Sequence, residues 1–447
     1  MPYGCTIAVT LLCAAVTAPA GDNWPQWRGP HLTGVSDATN LPLTWSESQN
    51  IAWKVPLPAW GAATPIVWGD RVFVISPSRA PEDGDEPGVS RRLPPMMGRS
   101  EPGGPDLLLL CFSTRDGTLR WRRRLGAGNT LYGKQNMASP SPVTDGRHVW
   151  TMTGTGLLSA FDIDGEPVWQ RDLQKDFGPF GLYWGYASSP LLHDGKIIVE
   201  VLHGAVTDDP AYVVAFDAAT GATRWKVNRP TDATRESPDA YTTPTLLRHN
   251  GKTRVVISGA NCVTAHDPNT GEEIWRAGGL NPKHRGNFRI CGTPTAVDGY
   301  VYATSRVKPV LAFRAGGTGD VSKSNLAWTY TDKGGPDVPS PACDGHHLYL
   351  VDDKGVATCL NAKTGHVVWG PARTARGTVS ASPLLADGKL YITNETATTT
   401  VLAAGPDFNI LATNKLDGGY TIASIAAAGT RLYIRTASHL YCIANKP

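Results

Sequence analysis

Aromatic and basic side chains of this 447-residue chain are concentrated in short segments, where they could bind a ligand. Phe180–Tyr186 contains four aromatic residues, and Lys283–Lys308 contains five lysines and arginines. Aromatic faces suit sugars, peptides and flat rings, whereas arginine groups suit carboxylates and phosphates. We therefore expect an anionic or glycan-like ligand, or a partner protein. The candidate binding residues are Trp60, Lys134, Asn136, Trp184, Tyr186, Asp239, Arg285, Arg289, Arg306 and Arg376. The alternative is that these aromatic residues pack the loops and the charges are solvated.

No residue pattern assigns catalysis or a metal site. The acidic residues Glu200, Asp239, Asp337 and Glu395 are isolated near predicted strand ends and form no calcium-binding motif. Histidines are scattered among predicted turns, and no CxxC pair is present. We therefore expect no catalytic residue, no metal ligand and no cofactor.

The elements that must position the candidate residues repeat along the chain. A segment of the form SPLLxDGKLYI predicts two short strands joined by a tight turn. Most copies continue with a third strand, a turn ending in glycine and a fourth strand carrying tryptophan. Four such strands in about 40 to 50 residues are typical of a propeller blade. The eight copies are anchored at Pro65, Pro142, Pro190, Pro244, Pro294, Pro341, Pro383 and Ser424. The pattern predicts an all-β, eight-bladed β-propeller of four-stranded antiparallel blades over residues 51–447.

The last copy lacks a fourth strand, and the N-terminal region supplies a candidate for it. Ile51–Leu57 carries Trp53 in the same context as the tryptophans of the other fourth strands. We expect this strand to close the eighth blade, which would leave no open sheet edge between the first and last blades. Each such tryptophan should pack against the neighbouring blade and bury about 200 Å².

Cysteine usage predicts no disulfide framework. Cys111, Cys262, Cys359 and Cys442 are assigned to one equivalent position of the third strand, where other copies have alanine. A small buried apolar side chain is the simplest role for that position.

Three segments lie outside the repeats. Residues 1–20 are apolar and end in Ala-Pro-Ala, which is typical of a signal peptide, so a periplasmic or extracellular location is expected. No lysine or arginine precedes the apolar run, which leaves a membrane anchor or a mis-assigned start as alternatives. Residues 21–50 form an N-terminal strap. Residues 77–106 form a mobile insertion in the first blade, with a lid or docking loop as the alternative.

The overall charge excludes some partners. The net charge of +3 gives no nucleic-acid footprint. After the first 20 residues no segment is apolar enough to span a membrane. We expect a monomer.

Two of the repeat segments are specific enough to indicate a family. Ala215–Trp225 (AFDAATGATRW) and Ala265–Trp275 (AHDPNTGEEIW) resemble the PQQ-like repeat of bacterial quinoproteins. The same repeat occurs in the non-enzymatic propeller lipoprotein of the outer-membrane β-barrel assembly machinery. Asn23–Pro30 (NWPQWRGP) resembles a segment that precedes many exported PQQ-like propellers.

The resemblance implies two different functions. The first is an exported, non-catalytic propeller that acts as a protein-interaction or ligand-binding module. The alternative is a periplasmic PQQ-dependent oxidoreductase similar to the quinoprotein alcohol dehydrogenases. That enzyme would need Ca²⁺ beside the quinone and an aspartate as general base. Members similar to methanol dehydrogenase also carry two adjacent cysteines, which this sequence lacks.

Overall fold

The computed structural model describes residues 21–80, 90–93, 103–306, 308–333 and 335–446. The predicted signal peptide, residues 1–20, lies outside the described residues. So do residues 81–89 and 94–102 of the predicted mobile insertion. Between those two stretches, Ser90–Leu93 forms a strand that pairs in parallel with Thr130–Tyr132.

Eight separate antiparallel sheets of four principal strands follow one another around an axis, which confirms the predicted all-β, eight-bladed propeller. The strands of the first four blades are Ile66–Trp68, Arg71–Pro77, Asp106–Ser113 and Leu119–Ala127; Val143–Thr144, His148–Met152, Leu157–Asp162 and Pro167–Asp172; Leu191–His193, Lys196–Val201, Tyr212–Asp217 and Thr223–Asn228; and Thr245–His249, Lys252–Gly259, Cys262–His266 and Glu273–Ala277. The strands of the last four are Thr295–Val297, Tyr300–Ala303, Val310–Arg314 and Leu326–Tyr330; Ala342–Cys343, His347–Val351, Val356–Asn361 and Val367–Arg373; Leu384–Ala386, Lys389–Thr393, Thr398–Ala403 and Ile410–Lys415; and Ala426–Ala428, Arg431–Arg435, His439–Ala444 and Ile51–Pro56.

Two short strands extend these sheets. Val35–Ser36 pairs in parallel with the innermost strand of the seventh blade, and Gly319–Asp320 pairs with the outermost strand of the fourth. One short helix, Leu173–Phe177, is capped by the Asp172 side chain. Within the described residues, no helix has the length and apolar character needed to cross a membrane.

Closure of the ring follows the sequence prediction. Ile51–Pro56 pairs antiparallel with His439–Ala444 and places Trp53 opposite Cys442. The Trp53 indole Nε1 donates to the Thr114 carbonyl oxygen of the first blade at 2.9 Å. The strand therefore completes the eighth blade and also packs against the first.

The repeated tryptophans join neighbouring blades in the same way. The indole groups of Trp328 and Trp369 donate to carbonyl oxygens in the next blade at 2.9 and 3.0 Å. At five boundaries of the described residues, those of Trp53, Trp121, Trp169, Trp225 and Trp328, a turn glycine of the next blade also lies under the indole ring. At Gly365, with φ of 73°, a Cβ would lie 2.6 Å from the Trp328 ring. The tryptophan and the turn glycine thus form one packing unit across each such boundary.

The cysteine assignment is correct at three positions and wrong at one. Cys111, Cys359 and Cys442 each stand opposite the tryptophan of the adjacent strand. In the fourth blade Ala265 occupies this position opposite Trp275, while Cys262 begins the strand at its other end. Ala265 pairs with Trp275 as Ala215 pairs with Trp225 in the third blade, so Cys262 lies three residues before the equivalent position. The six cysteines of the described residues are free thiols.

The N-terminal strap crosses one end of the central channel. Trp24 exchanges backbone hydrogen bonds with Val67 of the first blade, and the Pro25 carbonyl accepts from Thr144 of the second. Ten residues later, the Gly34 carbonyl accepts from Leu385 of the seventh blade. The strap therefore spans the channel rather than lying along the outside of the ring.

Candidate functional site

A cavity of about 570 Å³ lies on the propeller axis, on the side where the linkers between blades gather. We call it the central cavity. Every blade contributes to its lining, and the strap adds Trp27 at its base. The lining includes aromatic, charged and hydroxyl side chains. A site of this size with a few convergent polar groups falls in the usual range for small-molecule sites, roughly 300 to 1,000 Å³.

A ring of hydroxyl groups, one from each blade, surrounds the cavity, and six of its eight residues line the wall. Each hydroxyl oxygen accepts a hydrogen bond from the backbone N–H of the equivalent residue in the preceding blade, at 2.8 to 3.1 Å. The last bond runs from Ser424 N–H to Thr64 Oγ1 and closes the circle. The members of this hydroxyl ring are Thr64, Ser141, Ser189, Thr243, Thr293, Ser340, Ser382 and Ser424. Seven of them precede the proline of the sequence repeat, so the repeat encodes the ring directly.

The base of the cavity is formed by the strap. Trp27 lines it, and the adjacent Arg28 is buried beneath. The Arg28 guanidinium donates to the carbonyl oxygens of Thr33, Pro341 and Pro383. Burial lowers the pKa of Arg28 to about 9. Three carbonyl acceptors compensate for burying this cation, and they fix the strap to the sixth and seventh blades.

One side of the mouth combines an indole with an ion-pair network. The Trp184 indole Nε1 donates to Glu236 Oε1 at 2.9 Å, and the Arg289 guanidinium lies 5.6 Å from the Trp184 ring centroid. Arg289 Nε is 3.4 Å from the same Glu236 oxygen. Tyr241 fixes the loop from below, because its hydroxyl accepts from Trp184 N–H at 3.0 Å. The indole is therefore held rigidly at the cavity wall.

Two aspartates face the arginines. Asp337 Oδ2 lies 3.8 Å from Arg289 and 3.9 Å from Arg306, both longer than a hydrogen bond. Asp337 Oδ1 is buried and has no hydrogen-bond partner among the described residues. Asp353 accepts the backbone N–H groups of Asp337 and Val338 and thereby positions Asp337. Burial raises the pKa of Asp353, and the charge of Asp337 adds to this effect.

The opposite side of the mouth carries a lysine that reaches across from the first linker. Lys134 Nζ donates to Glu395 at 2.8 Å and to Ser380 Oγ at 3.0 Å. The Ser380 hydroxyl also donates to Glu395, at 2.6 Å. The buried Glu395 therefore holds the lysine and the serine together in one hydrogen-bonded group.

The ten sequence-predicted residues fall into three groups. Four of them line the central cavity: Lys134, Trp184, Arg289 and Arg306. Four are buried in the supporting loops: Trp60, Asn136, Tyr186 and Asp239. The two remaining residues, Arg285 and Arg376, have exposed side chains and contribute backbone carbonyls to neighbouring loops.

The buried group supports the mouth. Asn136 donates to the Trp60 carbonyl at 2.9 Å, and Tyr186 donates to the Glu200 carbonyl at 3.0 Å. Asp239 accepts Tyr183 N–H at 2.7 Å and Ala205 N–H at 3.0 Å, one on each oxygen. Burial raises the pKa of Asp239 to about 6. These side chains hold the loops and do not reach the cavity.

Four acidic residues at the cavity were not among the sequence-predicted candidates, and position along the repeat could have found them. Asp337 and Asp353 line the cavity, and Glu236 and Glu395 pair with its cations. Glu236 lies seven residues before Thr243 of the hydroxyl ring, and Asp337 lies three before Ser340. Asp353 and Glu395 each come two residues after the second strand of their blade. Acidic residues in these two windows complete the site, whereas the sequence prediction gave weight to aromatic and basic residues.

The donor set does not fit a calcium–quinone site. In the part of the chain that the structure describes, no three or more His, Cys, Asp or Glu residues are grouped to hold a metal ion. Of the cavity carboxylates, Asp353 accepts backbone N–H groups and Glu395 accepts from Lys134 and Ser380. Asp337 Oδ1 has no hydrogen-bond partner among the described residues but is buried, whereas Ca²⁺ takes about six to eight oxygen ligands.

Comparison with known proteins agrees with this architecture. BamB from Moraxella catarrhalis matches with a TM-score of 0.55 at 16% identity, over 88% of this chain and 98% of that chain. A quinohemoprotein alcohol dehydrogenase from Comamonas testosteroni matches with a TM-score of 0.64 at 12% identity, over 97% of this chain and 82% of that chain. A europium-containing methanol dehydrogenase matches with a TM-score of 0.65 at 11% identity, over 95% and 98%. These likenesses concern the fold.

The sequence itself matches a family model. No curated protein matches the chain. The model described as outer membrane protein assembly factor BamB matches residues 106–370 and 312–418, which together cover more than half of the chain. As the blade repeats and the structural neighbours also indicate, the chain belongs to the PQQ-like propeller family represented by that model.

Proposed function

We propose that this protein is an exported, non-catalytic PQQ-like propeller that recognises a ligand in its central cavity. The observation that carries the proposal is the cavity itself, because the strap closes its base and side chains from different blades converge on it. Trp184 offers an apolar face, while Arg289, Arg306 and Asp337 offer donors and an acceptor whose bonding capacity is not used up.

The state of the reactive groups favours binding over catalysis. Lys134 and the Ser380 hydroxyl both donate to Glu395, so the serine proton is directed to the carboxylate and not to the lysine. Burial raises the pKa of the Cys291 thiol to about 12, which keeps it in the unreactive thiol form. Within the described residues, no histidine lines the cavity.

Export is supported by the sequence of residues 1–20, which is typical of a signal peptide. Fractionation of cells that express the full chain tests this part of the proposal. We expect the protein in the periplasm or medium with Gly21 near its N-terminus. Protein recovered from the cytoplasm with residues 1–20 intact would contradict it.

A partner protein is the second candidate ligand, and one observation favours it. Tyr183 and Val206 are 45% and 58% exposed and lie beside the mouth near Trp184. Exposed apolar residues next to a polar site are a common feature of interaction surfaces.

Binding is tested by calorimetry with a panel of neutral disaccharides, sugar acids, dipeptides, and PQQ with Ca²⁺. The variant Ala187→Trp places an indole in the cavity from its wall. We expect one ligand class to bind the native protein and to lose binding in this variant. A bound quinone absorbance together with dye-linked alcohol oxidation would instead establish the quinoprotein alternative. If Ala187→Trp removes the binding of none of these ligands, the proposal of a cavity site is refuted.

A further inference from the structure

The charges around the central cavity are balanced toward neutrality. Lys134, Arg289 and Arg306 are its cations, and each lies within 4 Å of a carboxylate. Asp337 and Asp353 line the cavity with these cations, and Glu236 and Glu395, which are not part of the lining, pair with Arg289 and Lys134. An incoming anion would be repelled by these carboxylates as well as attracted by the arginines. The net electrostatic attraction is therefore weaker than an isolated arginine group would provide.

The unsatisfied groups come as a donor–acceptor pair. Arg289 and Arg306 stand 3.8 and 3.9 Å from Asp337 Oδ2, beyond hydrogen-bond distance, so a ligand atom can fit between them. A ligand hydroxyl can accept from an arginine N–H and donate to the aspartate at the same time. A carboxylate or phosphate group can only accept, and it would leave Asp337 unpaired.

The rest of the lining fits the faces of a sugar ring. Trp27 and Trp184 offer apolar surfaces against which C–H groups can pack. Each hydroxyl of the ring below accepts one backbone N–H and retains its own O–H as a donor. A volume of about 570 Å³ leaves room for a ligand of one or two rings.

We propose that the central cavity binds a neutral, hydroxyl-rich ligand, namely a neutral saccharide of one or two rings. The hydroxyl groups of the sugar bridge Arg289, Asp337 and Arg306, while one face of the sugar ring packs on Trp184. This inference rests on the proposed function and narrows its ligand class from anionic or glycan-like to neutral.

The test is calorimetric titration of the full chain with matched pairs. The probes are maltose, cellobiose and methyl glucoside, each against its uronic acid analogue. We expect at least one neutral sugar to bind about tenfold tighter than its acid. Asp337→Asn should weaken binding of the neutral sugar about tenfold, because it removes one hydrogen-bond acceptor. It should also narrow or reverse the preference for the neutral sugar over its acid, because it removes one negative charge. Asp332→Asn, at an exposed aspartate of the same linker, is the matched control and should change neither value.

The outcomes separate the two proposals. Tighter binding of the acid that Arg289→Gln abolishes would overturn the neutral-ligand inference and leave the cavity-binding function intact. Failure of every probe, together with binding of another panel member that Ala187→Trp removes, would also overturn only this inference. Thermal unfolding of Asp337→Asn and of Arg306→Gln checks that lost binding does not come from lost folding. If both variants stay folded and neutral-sugar affinity is unchanged in both, the inference is wrong.

Discussion

Replacing the buried Glu200 by glutamine should stabilise the protein at neutral pH and remove a pH dependence. The Thr242 hydroxyl lies 2.6 Å from Glu200 Oε1 and 2.7 Å from the Ser258 carbonyl oxygen. A hydroxyl has one hydrogen, so it can donate to only one of these acceptors. Both contacts become hydrogen bonds when Glu200 is protonated and donates to Thr242. Glutamine supplies that donor at every pH.

The magnitude follows from the pKa. Burial raises the pKa of Glu200 from 4.5 to about 7, against the Thr242 hydrogen bond and the charge of Arg229. Since the folded-state pKa lies above the unfolded value, the neutral carboxyl stabilises the fold at low pH. This contribution is lost as pH rises from about 4.5 to 7. At about 1.4 kcal/mol per pKa unit, the loss is about 3 kcal/mol.

The assay is urea unfolding of the wild-type protein and Glu200→Gln between pH 4.5 and 8. As pH rises over this range, the unfolding free energy of the variant should increase by about 3 kcal/mol relative to that of the wild type. Asp332→Asn is the matched control, because it makes the same acid-to-amide change at an exposed side chain. Its difference from the wild type should stay nearly constant between pH 4.5 and 8. Parallel curves for the wild type and Glu200→Gln would refute the reasoning.

Three further predictions concern the ring and the strap. Trp53→Ala should cost about 3 to 5 kcal/mol by calorimetry because it removes a buried wedge at the closing boundary; unchanged thermal unfolding would count against closure by this strand. Thr64→Val leaves Ser424 N–H without its acceptor and should cost about 1 to 3 kcal/mol in urea. Thr243→Val should cost a similar amount, since it breaks the same bond at another boundary; two silent variants would show that the ring contributes nothing. Arg28→Met should expose the strap to limited proteolysis first within residues 21–46, whereas first cleavage in a blade linker would contradict the anchoring role of Arg28.

The fold could be predicted because each blade is encoded locally. Asp-Gly turns, the period-two strands and the tryptophan opposite a small residue all recur in sequence, so eight independent copies support one architecture. The closing strand was predictable for the same reason, since Trp53 repeats the pattern that the last copy lacks. The alignment was wrong at Cys262, which lies three residues before the equivalent position that Ala265 occupies.

The site was only partly predictable because it is assembled across the axis. Lys134 and Glu395 are 261 residues apart, and no local pattern brings them together. Asn136, Tyr186 and Asp239 have the residue types of ligand-binding groups, yet their side chains point into the supporting loops. Sequence position places a residue on a linker, but the direction of its side chain depends on neighbouring blades.

The strap has a consequence for the order in which the molecule is assembled. Its residues are synthesised before the blades, but Arg28 is anchored on Pro341 and Pro383, and Trp45 N–H donates to Asn414 of the seventh blade. The strap cannot take up its final place until those late blades exist. The cavity therefore acquires Trp27 as its base in one of the last steps of folding, and a partly synthesised propeller would hold an open channel where the finished protein holds a cup.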